Sequence, residues 1–137
     1  MFVFSPKTDK IYDRCNAEIK LYPDVYEMIP KLKKLGYKIA TASRTDCTEE
    51  ALSLLHLFNL YPLMSSVQIY PGQKVTHFKK IVKDTGADWS EMVFFDDEPR
   101  NIRDLTPYGV HCVLVRNKLD WNTLRQGLQA FVQRDRK

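Results

Sequence analysis

The chain has 137 residues, of which 44% are apolar and 28% charged, and its formal net charge is +4. This size and composition predict one soluble domain over residues 1–137, with residues 21–137 forming an α/β core. No apolar stretch reaches the roughly 18 to 20 residues of a membrane-spanning helix, and Pro6 interrupts the apolar start too early for a signal peptide. We therefore expect a cytoplasmic protein with no membrane partner.

The cysteine and charge patterns exclude two further classes of protein. The cysteines are odd in number and lack metal-ligand spacing, so they predict neither a disulfide framework nor a zinc site: Cys15, Cys47 and Cys112. Lysines and arginines are scattered over predicted helical faces, and the basic end at 134–137 reads as a solvated tail. This pattern argues against nucleic-acid binding, and the mild positive charge suits an anionic substrate. We also expect a monomer.

Strand-like and helix-like apolar patterns alternate along the chain. The predicted helices cover residues 22–35, 51–58 with Thr45 or Asp46 as cap, 74–83 closed by Gly86, 100–106, and 121–132 capped by Asp120. The predicted strands cover residues 37–42, 67–70, 92–95 and 110–115. Short connections between them predict an α/β fold with a mostly parallel sheet covered by helices on both faces.

In a sheet of this kind the ligand lies beyond the carboxyl ends of the strands. The polar residues found there are Ser43, Arg44, Lys74, Asp96 and Asp97. A hydroxyl can donate to a phosphoryl oxygen, an ammonium can neutralise its charge, and paired carboxylates suit Mg²⁺. Ser43, Lys74 and the two acids therefore predict a site for phosphate and magnesium.

Each of these residues also has a purely structural interpretation. Asp97 could cap the helix that follows Pro99, Ser43 could cap a helix, and Lys74 could be a solvated helix start. Arg44 could contact a substrate phosphate or face solvent, and the sequence leaves both open. The combination of several such residues at successive strand ends favours the interpretation as a site.

Three segments resemble the haloacid dehalogenase superfamily, in the same order and at the same strand ends. They are Ile39–Thr45, Ile69–Phe78 and Met92–Ile102, and the likeness runs from about Asp9 to near the C-terminus. The resemblance implies a three-layer fold and an aspartyl-phosphate mechanism. It also implies a magnesium-dependent phosphomonoester phosphatase, with phosphotyrosine or phosphosugars as possible substrates.

By this resemblance Ser43 matches the second motif of the superfamily and Lys74 the third, and both contact the phosphate. Asp96 and Asp97 match the fourth motif, which holds Mg²⁺. Arg44, next to Ser43, is a candidate for substrate binding. No cap insertion is present, and the longest predicted connection, residues 59–66, leaves an open, shallow mouth.

The first motif of the superfamily, Asp-x-Asp after a strand, has no match. Asp9 and Asp13 are four residues apart and do not follow an apolar strand, so neither is assigned as the nucleophile. Residues 1–20 then read as the remnant of a polar flap, and the sheet is expected to lack its central first strand. We expect Phe2–Phe4 to be too short to replace it before Pro6.

Without the nucleophile and the general acid/base, we expect negligible activity. Two interpretations remain open: a truncated or alternatively spliced version of an active phosphatase, and a nonenzymatic binding or regulatory form.

Three other classes of protein share parts of the pattern. A response-regulator receiver places its acid pair on the first strand and its lysine on the last, whereas here Ser43 and Lys74 precede the acids. A dinucleotide-binding fold needs a glycine-rich turn after the first strand, and residues 42–44 do not form one. A plain α/β interaction domain remains the alternative without catalytic chemistry.

Overall fold

The computed structural model describes residues 1–4, 7–8, 19–20, 23–116 and 119–134. Asp9, Asp13 and Cys15 lie outside the described residues, as do Arg136 and Lys137. The strands are β1 Phe2–Phe4, β2 Lys7–Thr8, β3 Ile19–Lys20, β4 Ile39–Ser43, β5 Met64–Ile69, β6 Val93–Asp96 and β7 His111–Leu114. The α-helices are α1 Pro23–Lys34, α2 Thr48–Leu57, α3 Lys74–Thr85, α4 Pro99–Leu105 and α5 Trp121–Gln133.

Five strands form a parallel sheet in the order β5-β4-β1-β6-β7. The strands β2 and β3 pair antiparallel in a separate two-stranded sheet. Because β4 to β7 are joined through helices, the chain returns to the same end of the sheet before each new strand. The expected parallel α/β arrangement is confirmed.

The prediction that the central strand is missing was wrong. β1 lies between β4 and β6, where Phe2–Phe4 pair with Ile39–Thr41 and Phe2 and Val3 pair with Val93 and Phe94. Three residues suffice because both neighbouring strands offer backbone donors and acceptors that would otherwise be buried without partners. For the same reason Phe2–Phe4 do not belong to a polar flap.

Two apolar clusters pack on the two faces of this sheet. The first cluster joins residues of α1, α2 and α5 to the strands: Met28, Ile29, Leu32, Ala51, Leu54, Leu55, Leu124, Ile39, Val93 and Phe95. The second cluster joins α3 and α4 to the strands: Phe78, Ile81, Leu105, Val3, Ala40, Ala42 and Phe94. The successive residues Ala40 and Ile39 thus face opposite clusters, as the pleat of a strand requires.

Two of the helix-end residues predicted from the sequence, Asp120 and Gly86, have that role in the structure, and the predicted cap of α2 does not. The Asp120 side chain accepts from Thr123 N at 2.8 Å, and Gly86 ends α3 with φ of 72°. Before α2, however, the N-cap position belongs to Cys47 rather than to Thr45 or Asp46. The Thr45 hydroxyl oxygen instead accepts from Cys47 N at 3.1 Å, so it supports the turn that precedes the helix.

The edge strand β5 begins at Met64, three residues before the predicted start of the second strand. Polar residues at 65 and 66 hide this start from an apolar pattern, yet Ser66 is 5% exposed because it bonds to Asp84 at 2.7 Å. Cys47 and Cys112 are free thiols. None of the helices in the described ranges combines the length and the apolar character needed to cross a bilayer.

Candidate functional site

Lys74 connects the two strands that flank β1. It is the first residue of α3 and only 2% exposed. Its Nζ donates to the carbonyl oxygen of Ala42 at the end of β4 and lies 3.3 Å from Oδ2 of Asp96 at the end of β6. The same ammonium lies 5.1 Å from the centre of the Phe94 ring. The two strand ends and α3 therefore meet at one point of the sheet edge.

The pairing of β1 with its two neighbours shows where along the strands this meeting point lies. Phe4 pairs with Thr41 of β4, and Val3 pairs with Phe94 of β6. The next level on the neighbouring strands, one step beyond Phe4, is therefore that of Ala42 and Asp96. Lys74 contacts both of these residues.

Burial lowers the pKa of Lys74, and the negative charge of Asp96 opposes that effect. A lysine removed from water keeps its proton more easily when a carboxylate lies beside it, and Asp96 occupies this position. The arrangement holds positive charge at the carboxyl edge of the sheet, where a phosphate oxygen could replace part of the lost hydration.

The carboxylate of Asp96 is 5% exposed and held by donors on both oxygens. Oδ1 accepts from the backbone nitrogens of Asp97 at 2.7 Å and Glu98 at 3.3 Å. Oδ2 accepts from Nδ2 of Asn101 at 2.8 Å. The N-cap position of α4 belongs to Glu98, not to Asp97 as in the structural alternative to a site, and the turn into this helix is bonded to the Asp96 carboxylate.

Asp97 is exposed and follows the buried Asp96 directly. Magnesium commonly binds one or two carboxylates and completes its shell with water and phosphate oxygens. No cluster of three or more His, Cys, Asp or Glu residues suited to a metal occurs among the residues described. Two adjacent carboxylates are hard oxygen donors of the kind that magnesium takes, so Asp96 and Asp97 stay the candidate ligands.

Ser43 ends β4 and is 3% exposed. Its Oγ accepts from Thr45 N at 3.3 Å, which supports the tight turn after the strand. Its carbonyl oxygen accepts from Tyr70 N at 3.1 Å and lies 2.9 Å from Nε2 of His77. Ser43 is therefore placed on the same sheet edge as Ala42 and Lys74, with its backbone fixed by the loop that precedes α3.

Arg44 links three of the strand-end loops. Its Nε donates to Gly72 O at 2.8 Å, and its Nη1 donates to Glu98 Oε2 at 3.2 Å and to Asn101 Oδ1 at 3.3 Å. Its side chain is 27% exposed. The sequence left open whether Arg44 contacts a substrate phosphate or only faces solvent, and these bonds exclude the second role. A phosphate that approached the guanidinium would find it already paired with Glu98.

Two buried polar residues of the site were missed by the sequence pattern. Asn101, 2% exposed, donates to Asp96 and accepts from Arg44, so it joins the acid to the guanidinium. His77 is 0% exposed, and it was not among the residues that the sequence predicted for the site. Its position beside Phe78 and four residues before Ile81, both fully buried, was the available signal.

The sequence matches a family model described as acid phosphatase over residues 2–134. It is 43% identical to Magnesium-dependent phosphatase 1 of Homo sapiens over 123 residues, covering 90% of this chain and 70% of that protein. It is 34% identical to a HAD-like hydrolase superfamily protein of Schizosaccharomyces pombe, covering 73% of this chain and 63% of that protein. A putative magnesium-dependent phosphatase of Saccharomyces cerevisiae is 31% identical, with 76% and 65% covered.

Solved structures resemble this fold at lower sequence identity. A HAD-superfamily hydrolase from Ehrlichia chaffeensis superposes with a TM-score of 0.64 and 16% identity, covering 95% of this chain and 62% of that one. A predicted phosphoglycolate phosphatase from Haemophilus somnus gives 0.62 and 20% identity, covering 78% and 48%. The chain thus spans less than two thirds of either structure. The likeness confirms the expected haloacid-dehalogenase-like fold.

Proposed function

The chain belongs to the acid phosphatase family and has the fold of haloacid dehalogenase hydrolases, and on this premise we propose that its sheet edge binds a phosphomonoester together with Mg²⁺. The observation that carries the proposal is the contact of Lys74 with both Ala42 and Asp96. It brings a positive charge, a carboxylate and the end of β4 together at the edge where ligands of parallel sheets bind.

Each residue then has a defined task. Ser43 donates a hydrogen bond to a phosphoryl oxygen, and Lys74 offsets the negative charge of the phosphate. Asp96 and Asp97 hold Mg²⁺, and the ion, when bound, stabilises the charge on the phosphoryl oxygens. Arg44 lies at the edge of the proposed phosphate site, where its side chain bonds to Glu98 and Gly72.

The residues that follow β1 decide whether the site can turn over its ligand. By the family resemblance, a nucleophilic Asp and an acid/base Asp occupy the first and third positions after the central strand. The sequence after Phe4 is Ser5-Pro6-Lys7, without a carboxylate at either position. Covalent phosphoryl transfer lacks its attacking group, so we propose that this chain binds phosphate but hydrolyses esters negligibly.

Two forms of this proposal stay open: a variant of an active phosphatase that lacks the two catalytic carboxylates, or a nonenzymatic binding or regulatory protein. For an active relative, phosphotyrosine or phosphosugars are the proposed substrates. We further propose a monomer in the cytoplasm that uses neither nucleic acid nor membranes as partners.

Isothermal titration calorimetry with MgCl₂ and inorganic phosphate tests the proposal. Magnesium alone should bind weakly, because the described acids supply two carboxylates, and phosphate should bind more tightly when magnesium is present. Asp96→Asn should weaken both, and Lys74→Met should weaken phosphate binding. Lys79→Met, an exposed lysine of the same helix, is the matched control and should change neither.

Two results would contradict the proposal. Absence of phosphate binding by the folded protein, with or without magnesium, would refute the phosphate site. Micromolar affinity for magnesium without phosphate would show that the metal has more protein ligands than Asp96 and Asp97.

A further inference from the structure

His77 is surrounded by backbone carbonyl groups on both of its ring nitrogens. Nδ1 lies 2.9 Å from Gln73 O, and Nε2 lies 2.9 Å from Ser43 O and 2.7 Å from Tyr70 O. These carbonyls belong to the residue before α3, the end of β4 and the residue after β5. One buried side chain thus holds three segments of the site edge.

Carbonyl oxygens accept hydrogen bonds and cannot donate them. A neutral imidazole has a hydrogen on one nitrogen alone, so its other nitrogen would turn a lone pair towards a carbonyl oxygen less than 3 Å away. Because Nε2 faces two of the three carbonyl oxygens, a hydrogen on this nitrogen can be donated to both of them. The surroundings therefore favour a ring that carries a hydrogen on Nε2.

The Tyr70 ring adds a further contact. It stacks on the imidazole with 4.2 Å between centroids and 10° between planes, so the ring is held through its face as well as through its nitrogens. The ammonium of Lys74, on the same helix, is directed to Ala42 O and Asp96 instead.

We propose that His77 is a positioning residue of the phosphate site: through a hydrogen on Nε2 it bonds the end of β4 to α3, and so fixes the spacing between Ser43 and Lys74. The carbonyl oxygen of Ser43 contacts Nε2 of the His77 ring. Lys74 directly follows Gln73, whose carbonyl oxygen faces Nδ1 of the same ring. The inference rests on the proposed function, because it takes Ser43 and Lys74 as the phosphate ligands.

The position of the ring hydrogen can be measured on the ligand-free protein. Nitrogen-15 NMR correlating the ring nitrogens with the ring carbon-bound hydrogens should show a hydrogen on Nε2 of His77. That hydrogen should exchange slowly with solvent, because the ring is fully buried. A spectrum in which Nδ1 carries the hydrogen and Nε2 carries none would overturn the inference.

The positioning role is tested by phosphate binding in three variants. His77→Phe keeps a flat ring against Tyr70 but has no donors, and we expect phosphate affinity to fall at least about tenfold. His77→Gln retains an NH₂ group and should recover part of the loss. Tyr70→Phe, which removes a hydroxyl bonded to Gln68 and keeps the stack, is the control and should bind as the wild type does.

The outcomes separate this inference from the proposed function. Failure of the wild-type protein to bind phosphate refutes the function, while the ring nitrogens still report on His77. If the wild-type protein binds phosphate and folded His77→Phe binds it with the same affinity, the positioning role is refuted. If His77→Phe does not fold, the His77→Gln affinity decides: equality with the wild type contradicts the role, and a severalfold loss supports it.

Discussion

The ammonium of Lys74 and the carboxylate of Asp96 form an ion pair at 3.3 Å with both side chains almost wholly buried. Removal of one partner leaves the other charge buried without compensation, which commonly costs about 3 to 5 kcal/mol. We expect Lys74→Met to lower the free energy of unfolding towards the lower end of that range, because Asn101 and two backbone amides still bond to Asp96. Urea unfolding measures the change.

A double-mutant cycle isolates the pair. Lys74→Met combined with Asp96→Asn should be less unstable than the sum of the two single changes. Arg100→Met is the control, since Arg100 lies 3.9 Å from Glu98 on the exposed rim and should alter stability by less than about 0.5 kcal/mol. Additive single effects at Lys74 and Asp96 would show that the two groups do not interact energetically.

Gly127 is predicted to resist substitution although it lies inside a helix. A Cβ at this position would meet two atoms of the Phe95 ring at 2.7 Å and the Val113 side chain at 3.0 Å. Alanine normally stabilises a helix interior by about 1 kcal/mol relative to glycine. Here overpacking should reverse the sign and destabilise Gly127→Ala by about 1 to 3 kcal/mol.

Thermal unfolding followed by circular dichroism tests this reversal. Gln129→Ala, at an exposed position of the same helix, is the matched control and should leave the melting temperature nearly unchanged or raise it slightly. A more stable Gly127→Ala would mean that α5 can move away from the sheet at little cost.

His111 should make stability depend on pH. Burial, with a further contribution from Arg134, lowers the pKa of His111 below its ordinary value of 6.5. The unfolded chain therefore binds a proton more readily, and the stabilising contribution present above pH 6.5 is lost progressively as the pH falls below that value towards the folded pKa.

The difference between variants isolates this effect from other titrating groups. His111→Gln should lose less stability than the wild type between neutral and mildly acidic pH, as followed by melting temperature. His56→Gln, which changes an exposed histidine of α2, is the comparison variant. A parallel pH profile for His111→Gln and the wild type would exclude His111 as the source.

The sequence predicted those features that depend on near neighbours. Asp120 bonds to Thr123 three residues on, and Gly86 ends the helix that precedes it, so both signals are local. The short strand Phe2–Phe4 was missed because its stability comes from strands 37 and 91 residues further along. The local propensity of three residues cannot reveal that two distant strands, β4 and β6, have unpaired edges between which those residues fit.

The residues of the candidate site were likewise predicted only in part. The residue types at Ser43, Lys74 and Asp96 follow from their places after strands, and the structure brings these strand ends together, while their roles stay predictions. His77 and Asn101 were missed because each joins a near neighbour to a residue far away in sequence: His77 contacts Ser43 across 34 residues, and Asn101 contacts Arg44 across 57. A buried polar side chain shows its purpose only when its partners are known.

The position of β1 makes restoration of activity a direct test of the missing chemistry. Because the chain supplies its own central strand, the family motif can be placed after Phe4 by the changes Ser5→Asp, Pro6→Leu and Lys7→Asp. We expect the unaltered protein to leave p-nitrophenyl phosphate intact and the triple variant to hydrolyse it with magnesium present. Phosphate release, measured by absorbance, gives the rate.

The control variants assign that activity to the site. Lys74→Ala and Asp96→Ala, each added to the triple variant, should abolish the rate, and Lys79→Ala should not. A version that keeps Lys7 and restores the first Asp alone should release p-nitrophenolate once and then accumulate the aspartyl phosphate, since no carboxylate acts as general base on the water that hydrolyses it. Hydrolysis by the unaltered protein that survives a purity control would refute the assignment, because Ser5-Pro6-Lys7 would then be compatible with catalysis.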